Sequence, residues 1–374
     1  MWPLLLGFVS VYFFLTSIYR LYLHPLSKIP GPKIAALTWG YEFYYDVVRH
    51  GTYIWEVEKM HDKYGFLDDK NFKNEVRQAV TEMSNLIHVS KFFPMLATMF
   101  KAMPRWLVAK LRPGATAVLD MQDLITERYN AQKDETKTYK MTIFDALTDP
   151  SVPPEERSSA RLADEGMILM IGGTETTARV LSTAAFQLYQ DEHLLESLRK
   201  ELRPVMPTPT SNVSWSELEQ LPLLNGLVNE SLRLAFGSTI RSPRVAPTES
   251  LQYKGLVIPP GSPISMSPYF VLTDPEIFPE PESFRPERWI EAAQKGQNLN
   301  RYLVAFSRGS RNCLGMNLAY AELYMTIAAF VRRFDLEIFE TTAESIRPGR
   351  DLGMAQPKEG KFAVRAKVTN VIKE

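Results

Sequence analysis

The 374-residue sequence predicts a mainly α fold with small β-sheets, preceded by one N-terminal transmembrane helix. Three observations lead there. Apolar residues recur at helical spacing from Ser158 to Tyr189, a long run for a helix of a globular protein. A second apolar-faced stretch runs from Asn317 to Phe334. The remaining apolar runs are short, at Leu256-Val257-Ile258, Ile264-Ser265-Met266 and Phe362 to Val368, which suits small strands. The first two of these read as a hairpin about Pro260-Gly261.

The N-terminal helix rests on Trp2 to Tyr19, which carries no charge, and on apolar character continuing through Leu21 and Leu23. That is just enough to cross a bilayer. Neither a basic segment before it nor a small-x-small cleavage site after it supports a secretory signal; a buried core helix is the other alternative. Arg20, Lys28 and Lys33 flank only its C-terminal side, so the positive-inside rule puts the rest of the chain in the cytosol. Residues 1–23 are thus read as an anchor. Pro25, Pro30 and Pro32 make 24–33 a stiff hinge in which no helix continues. No linker, repeat or low-complexity tract divides 34–374, so the remainder reads as one large domain.

Composition excludes several functions. Forty-three basic residues balance forty-three acidic ones, so no global field steers the chain to nucleic acid. Cys313 is the only cysteine, which rules out a disulfide framework or multi-cysteine cluster; a reduced thiol fits a cytosolic body. His50, His61, His88 and His193 are isolated, without the spacing of a metal site.

Tyr41 to Val48 and Ile54 to Tyr64 carry apolar residues at three- and four-residue spacing, as helices with one buried face do. Met95 to Leu111, rich in Met, Phe and Trp, reads as a packed helix pair, with a membrane-dipping lid as the alternative. The long helix that follows contains Gly172-Gly173-Thr174-Glu175-Thr176-Thr177. Each glycine weakens a helix by about 1 kcal/mol relative to alanine. Close helix packing is one reason to have them. Room for a diatomic ligand beside the helix is another. The Thr176 hydroxyl is placed to bond the Gly172 carbonyl and open the helix locally, and Glu175 offers a carboxylate able to relay protons.

Ser214-Trp215-Ser216-Glu217 is a capping box opening a helix. Asn225 to Phe236 continues helically and holds Glu230-Ser231-Leu232-Arg233, two opposite charges on one side. An exposed ion pair is the default reading of such a spacing.

The chain is organised around Phe306-Ser-Arg-Gly-Ser-Arg-Asn-Cys-Leu-Gly315. Gly309 and Gly315 permit tight turning and close approach to a flat ligand, and Arg311 offers a fork suited to a carboxylate. A helix starting near Met316 aims its positive end at the sulfur, favouring thiolate over thiol. Such a thiolate suits an axial metal ligand.

Phe306-x-x-Gly309-x-Arg311-x-Cys313-x-Gly315 resembles the haem-binding loop of cytochrome P450 monooxygenases. The Gly172 to Thr177 stretch and the Glu230-x-x-Arg233 pair, with Arg288 in Phe284-Arg-Pro-Glu-Arg-Trp289, resemble two further motifs of that family. The resemblance implies a cytochrome P450 fold holding haem b, with Cys313 as the axial thiolate and Arg311 and Arg244 on the propionates. Phe306 and Gly315 complete the cofactor-binding loop. It implies Glu175 and Thr176 as the proton-delivering pair and Glu230, Arg233 and Arg288 as a buried structural triad. Ile171, Gly172, Ile240 and Arg241 become candidate substrate contacts.

The implied partners are NADPH-cytochrome P450 reductase, O2, a small apolar substrate and a membrane. The implied location is the endoplasmic reticulum membrane, single-pass, with a cytosolic catalytic body. Local wording such as Ser238-Thr-Ile-Arg-Ser-Pro-Arg-Val-Ala-Pro247 is similar to fungal secondary-metabolism members of the trichodiene-oxygenase type, implying a terpenoid- or polyketide-like substrate. An oxygen-independent rearrangement would have no use for the Glu175–Thr176 pair. One departure matters. Lys63-Tyr64-Gly65 runs directly into Phe66-Leu67, and no tryptophan has an arginine four residues on, so the family's Trp-x-x-x-Arg helix is absent. A block is therefore expected to be missing between Gly65 and Phe66, leaving the fold incomplete. The alternative function is a non-catalytic remnant or mis-spliced chain.

Overall fold

The computed structural model describes residues 147–359 and 362–373, with shorter pieces at 16–19, 44–49, 91–93 and 103–111 and the single positions 95 and 99. Apart from 16–19, the expected anchor, the hinge and the Gly65–Phe66 junction lie outside the described residues. Among the described residues no helix is long and apolar enough to cross a membrane. Tyr44–Val48 forms a π-helical turn. In the Met95–Leu111 region, α1 (Arg105–Leu111) buries Val108, whereas Met95 and Trp106 are exposed.

The long helix is α2 (Ser159–Gln190), and its boundaries follow from its flanks. The Ser158 hydroxyl accepts from the Arg161 N–H at 3.3 Å, satisfying a donor the first turn leaves free. Asp191 ends α2 in an extended conformation, and its carboxylate accepts from the Leu194 N–H at 2.9 Å, capping α3 (Glu192–Leu202). One residue therefore sets both the stop and the next start. The expected capping box at Ser214 and Glu217 opens the short α4 (Trp215–Leu218). Helix α5 (Pro222–Ala235) starts with proline, which needs no N–H there. Glu201 of α3 accepts from the N–H groups of Leu223 and Leu224 at 2.8 and 2.9 Å, capping α5 from a distance.

Four short strands follow: β1 (Arg244–Val245), β2 (Leu251–Tyr253), β3 (Leu256–Ile258) and β4 (Pro263–Ile264). Their pairing corrects the sequence reading. β3 pairs with β2, and β4 pairs with β1. Lys254 and Gly255 both take positive φ, 46° and 80°, the two-residue turn that matches strand twist. The expected turn at Pro260-Gly261 does form, with the Ser262 N–H donating to the Pro259 carbonyl at 3.3 Å and Gly261 at φ 77°, but it leads from β3 to a strand of a different sheet and closes no hairpin. Met266 lies beyond β4.

Helices α6 (Pro268–Leu272) and α7 (Glu287–Gln294) bracket a meander, and α8 (Met316–Arg333) follows the cysteine loop. α8 ends against other carbonyls: Arg332 donates to Met206 and Pro207 at 3.0 and 3.1 Å, and Arg333 to Pro209 at 2.9 Å. β5 (Phe334–Ile338) pairs antiparallel with β8 (Ala366–Val371), and β6 (Arg350–Asp351) with β7 (Ala355–Gln356). The last strand thus begins four residues later than Phe362. That ring is buried beneath the Arg179 guanidinium, 4.1 Å from its centroid, rather than paired in a sheet.

The core lies where α2, α3, α5 and α8 meet, filled by residues such as Leu188, Leu198, Leu227, Leu232, Leu323 and Val331. Gly226 marks the closest approach: a Cβ there would stand 2.4 Å from the Pro286 carbonyl oxygen, so only glycine lets α5 lie against the start of α7.

Candidate active site

Glu230 is a charge satisfied by five hydrogen-bond donors. It is fully buried, and its carboxylate accepts from Arg233 Nε and Nη2 at 3.0 and 2.7 Å and from Arg288 Nε at 3.0 Å. The Trp289 indole N–H at 2.9 Å and the Arg285 backbone N–H at 3.0 Å complete it. An exposed ion pair, the default for the spacing, is not what forms. Two guanidiniums meet one carboxylate, and the surplus positive charge is spread over carbonyls. Arg233 donates to Leu272, Pro281 and Ser283, and Arg288 to Pro279, Glu280 and Ser283. The network therefore fixes the meander between α6 and α7, which leads to the cysteine loop. Trp289 was not singled out from the sequence, although it adjoins Arg288; its aromatic character gave no hint of an N–H partner.

The loop from Phe306 to Gly315 is closed by its own backbone. Ser307 N–H donates to Val304 at 2.9 Å, Asn312 N–H to Gly309 at 3.1 Å, and Cys313 N–H to Phe306 at 2.9 Å. Gly309 needs its left-handed φ of 82°, and Ser307 adopts 62° without being glycine. Gly315, expected to serve the same purpose, has φ −86°, which any residue reaches; it is the N-cap of α8, and a Cβ there would meet nothing within 4 Å. Its contribution is space. Cys313 is exposed, and beside it Leu314 and Leu318 are 96% and 63% exposed. Arg311 is exposed as well.

On α2, the Thr176 hydroxyl donates to the Gly172 carbonyl at 2.6 Å, the bond expected from the spacing. The expected opening of the helix does not accompany it, since α2 runs unbroken through these residues. Cβ atoms built at Gly172 and Gly173 would meet nothing within 4 Å. Glu175 and Thr176 are half-buried, and the side chain of Ile171 lies outside the described residues. One turn on, Arg179 is buried, its guanidinium pushed down to about 10 by desolvation and partly restored by Glu175. It donates to Gln356 at 3.0 Å and lies over Phe362, joining α2 to the C-terminal segment. Neither Arg179 nor Gln356 was found from sequence, because nothing local connects positions so far apart in the chain.

Ile240 and Arg241 sit half-buried after α5. Their neighbour Thr239 is buried and donates to Asp351 at 2.7 Å, and Ser238 bridges to Met354. The candidate substrate segment is thereby held against the β6–β7 turn. Arg244 is exposed on β1, touching the carbonyls of Ser242 and Pro243 at 3.5 and 3.2 Å.

This donor set fits haem. There is one exposed thiol, exposed guanidiniums at Arg311 and Arg244 for two propionates, bare apolar side chains beside the thiol, and open space at Gly172, Gly173 and Gly315. Among the described residues no cluster of His, Cys, Asp and Glu offers a rival metal site.

Comparison with known proteins agrees. A cytochrome P450 family model matches residues 60–364. The cytochrome P450 monooxygenase aflU of Aspergillus parasiticus is 37% identical over 477 residues, covering 95% of this chain and 96% of the relative. Conidiogenone synthase PchP450 of Penicillium rubens is 34% identical over 478 residues, with 95% and 96% covered. The cytochrome P450 monooxygenase TRI4 of Fusarium sporotrichioides is 32% identical over 473 residues, with 93% and 91% covered. Each alignment is longer than the 374 residues of the chain, so it crosses positions of the relatives that have no counterpart here.

Proposed function

We propose a function from one premise: this chain belongs to the cytochrome P450 family of haem-thiolate monooxygenases. Its relatives include fungal monooxygenases of secondary metabolism, so the general reaction is insertion of one atom of O2 into an organic substrate, the other leaving as water. Within that reaction we assign Cys313 as the axial ligand and Arg311 and Arg244 as propionate partners. Haem, when bound, supplies the oxygen-activating iron, and thiolate ligation favours O–O cleavage.

The chain's own residues then divide the remaining work. Gly172 and Gly173 leave room beside α2 for a diatomic molecule. Thr176, oriented by its bond to the Gly172 carbonyl, presents a hydroxyl to that space, and half-buried Glu175 passes protons from solvent toward it. The observation that carries the reading is the closed, glycine-turned loop presenting the one cysteine as an exposed thiol ahead of α8. We further infer a terpenoid- or polyketide-like substrate from the wording of Ser238 to Pro247, electrons from NADPH-cytochrome P450 reductase, and, from the uncharged run Trp2 to Tyr19, an N-terminal anchor holding a cytosolic body to the endoplasmic reticulum membrane.

A second reading has its own support. The alignments run past the length of the chain, in keeping with a block lost between Gly65 and Phe66 and with a remnant that does not hold haem productively. The reduced, carbon-monoxide-bound absorption spectrum of the chain expressed in microsomes separates the two. A strongly red-shifted Soret band that disappears in Cys313→Ala supports the monooxygenase. Absence of any haem band supports the remnant, and a shifted band persisting in Cys313→Ala overturns the ligand assignment.

A further inference from the structure

Two turns after Cys313, on the helix into which the cysteine loop leads, stands Tyr320. Its ring packs on Phe306 at 5.2 Å between centroids, tilted by 53°, and on Tyr324 at 6.2 Å. Phe306 also supplies the carbonyl that accepts the Cys313 N–H. The contacts close a circuit, running from Cys313 back to Phe306 by a hydrogen bond, from Phe306 to Tyr320 by ring contact, and from Tyr320 to Cys313 along α8. A second tie runs parallel to it, as Arg308 donates to the Asn300 carbonyl. Asn300, Tyr320 and Tyr324 border one polar cavity of about 180 Å³, so the Tyr320 ring is braced by its aromatic neighbours and open on that side.

We propose that Tyr320 is a positioning residue for the cysteine loop: its ring sets where Phe306 lies and hence whether the Phe306 carbonyl meets the Cys313 N–H. The proposal rests on the reading of Cys313 as the metal-binding thiol, and it assigns the aromatic ring rather than the hydroxyl. Burial pushes the Tyr320 phenol up, so its hydroxyl stays neutral and adds no charge to the loop.

The test is amide hydrogen exchange on the full chain as expressed, read on peptides covering 304–316. Tyr320→Leu is expected to raise exchange of these amides by about tenfold through easier local opening, and Tyr320→Phe to keep the parent rate. Phe306→Leu should give the same increase, and the double variant Phe306→Leu/Tyr320→Leu no more than either single change, because both break one contact. If Tyr320→Leu also loses protection across α5, Tyr320→Met, whose unbranched flexible side chain adapts to the gap, carries the comparison. Parent-like protection in Tyr320→Leu, strictly additive effects, or failure of Tyr320→Phe to restore the parent rate would overturn the proposal. This readout does not depend on the carbon monoxide spectrum, so the role of Tyr320 and the assignment of Cys313 fail separately.

Discussion

Thr176 is the residue whose geometry most directly limits what the site can do. Its hydroxyl proton is committed to the Gly172 carbonyl at 2.6 Å, which leaves the oxygen lone pairs to accept from a molecule beside the helix. Thr176→Ala removes the proposed relay and leaves the fold alone, since the side chain is only half-buried. We expect haem content to be unchanged and product formed per NADPH consumed to fall by roughly tenfold or more, the missing oxygen appearing as hydrogen peroxide. Unchanged product per NADPH would refute the relay. The pairing of Thr176 with Gly172 was legible because both partners lie one helical turn apart. The roles of Ser307 and Gly315 were not, because a backbone angle leaves no mark on residue type when serine takes the strained position and glycine the relaxed one.

Between α5 and α7 the decisive interactions are desolvated charges and one close backbone contact. Glu230→Ala leaves Arg233 and Arg288 buried without their anion and is expected to lower unfolding stability by about 3–5 kcal/mol. By contrast, removing the exposed Arg203–Glu196 pair should change it by less than about 1 kcal/mol. Denaturant titration of the two variants reads the difference directly. Gly226→Ala tests the close contact. Its methyl would stand 2.4 Å from the Pro286 carbonyl, so α5 must move, at roughly 1–3 kcal/mol. Stability equal to the parent would mean that the helices separate freely. At this scale the sequence showed the helices well, since period and capping residues are local. It misassigned the strand pairing, because Pro260-Gly261 is the stronger turn signal on residue type, whereas β2–β3 depends on the non-glycine Lys254 taking a left-handed angle beside Gly255.

Across the whole molecule, C-terminal segments brace the long helix, and their chemistry sets an alkaline limit. The Tyr189 hydroxyl donates to the Phe334 carbonyl at 2.8 Å, and burial pushes its pKa up to about 12. The folded phenol therefore keeps its proton while the unfolded one loses it above about pH 10. The folded state binds more protons in that window, so stability is full below pH 10 and falls as pH rises towards 12. Tyr189→Phe should make the loss of stability between pH 10 and 12 shallower by one titrating group, measured by urea denaturation at each pH. An identical slope would remove Tyr189 from the account. The contacts that join α2 and the segment after α5 to the far end of the chain, Arg179 to Gln356 and Thr239 to Asp351, were invisible in the sequence because each residue alone reads as an ordinary surface polar group.

The surplus cation around Glu230 also dictates a chronology. Arg288 follows Glu230 by 58 positions, and the carbonyls that hold the two arginines belong to residues 272–283. As the chain leaves the ribosome, Glu230 and Arg233 must stay hydrated until those residues arrive, so α5 cannot yet bury its inner face. The network is thus a checkpoint in time: the earlier half of the core waits for the later half, and the cysteine loop lies downstream of both.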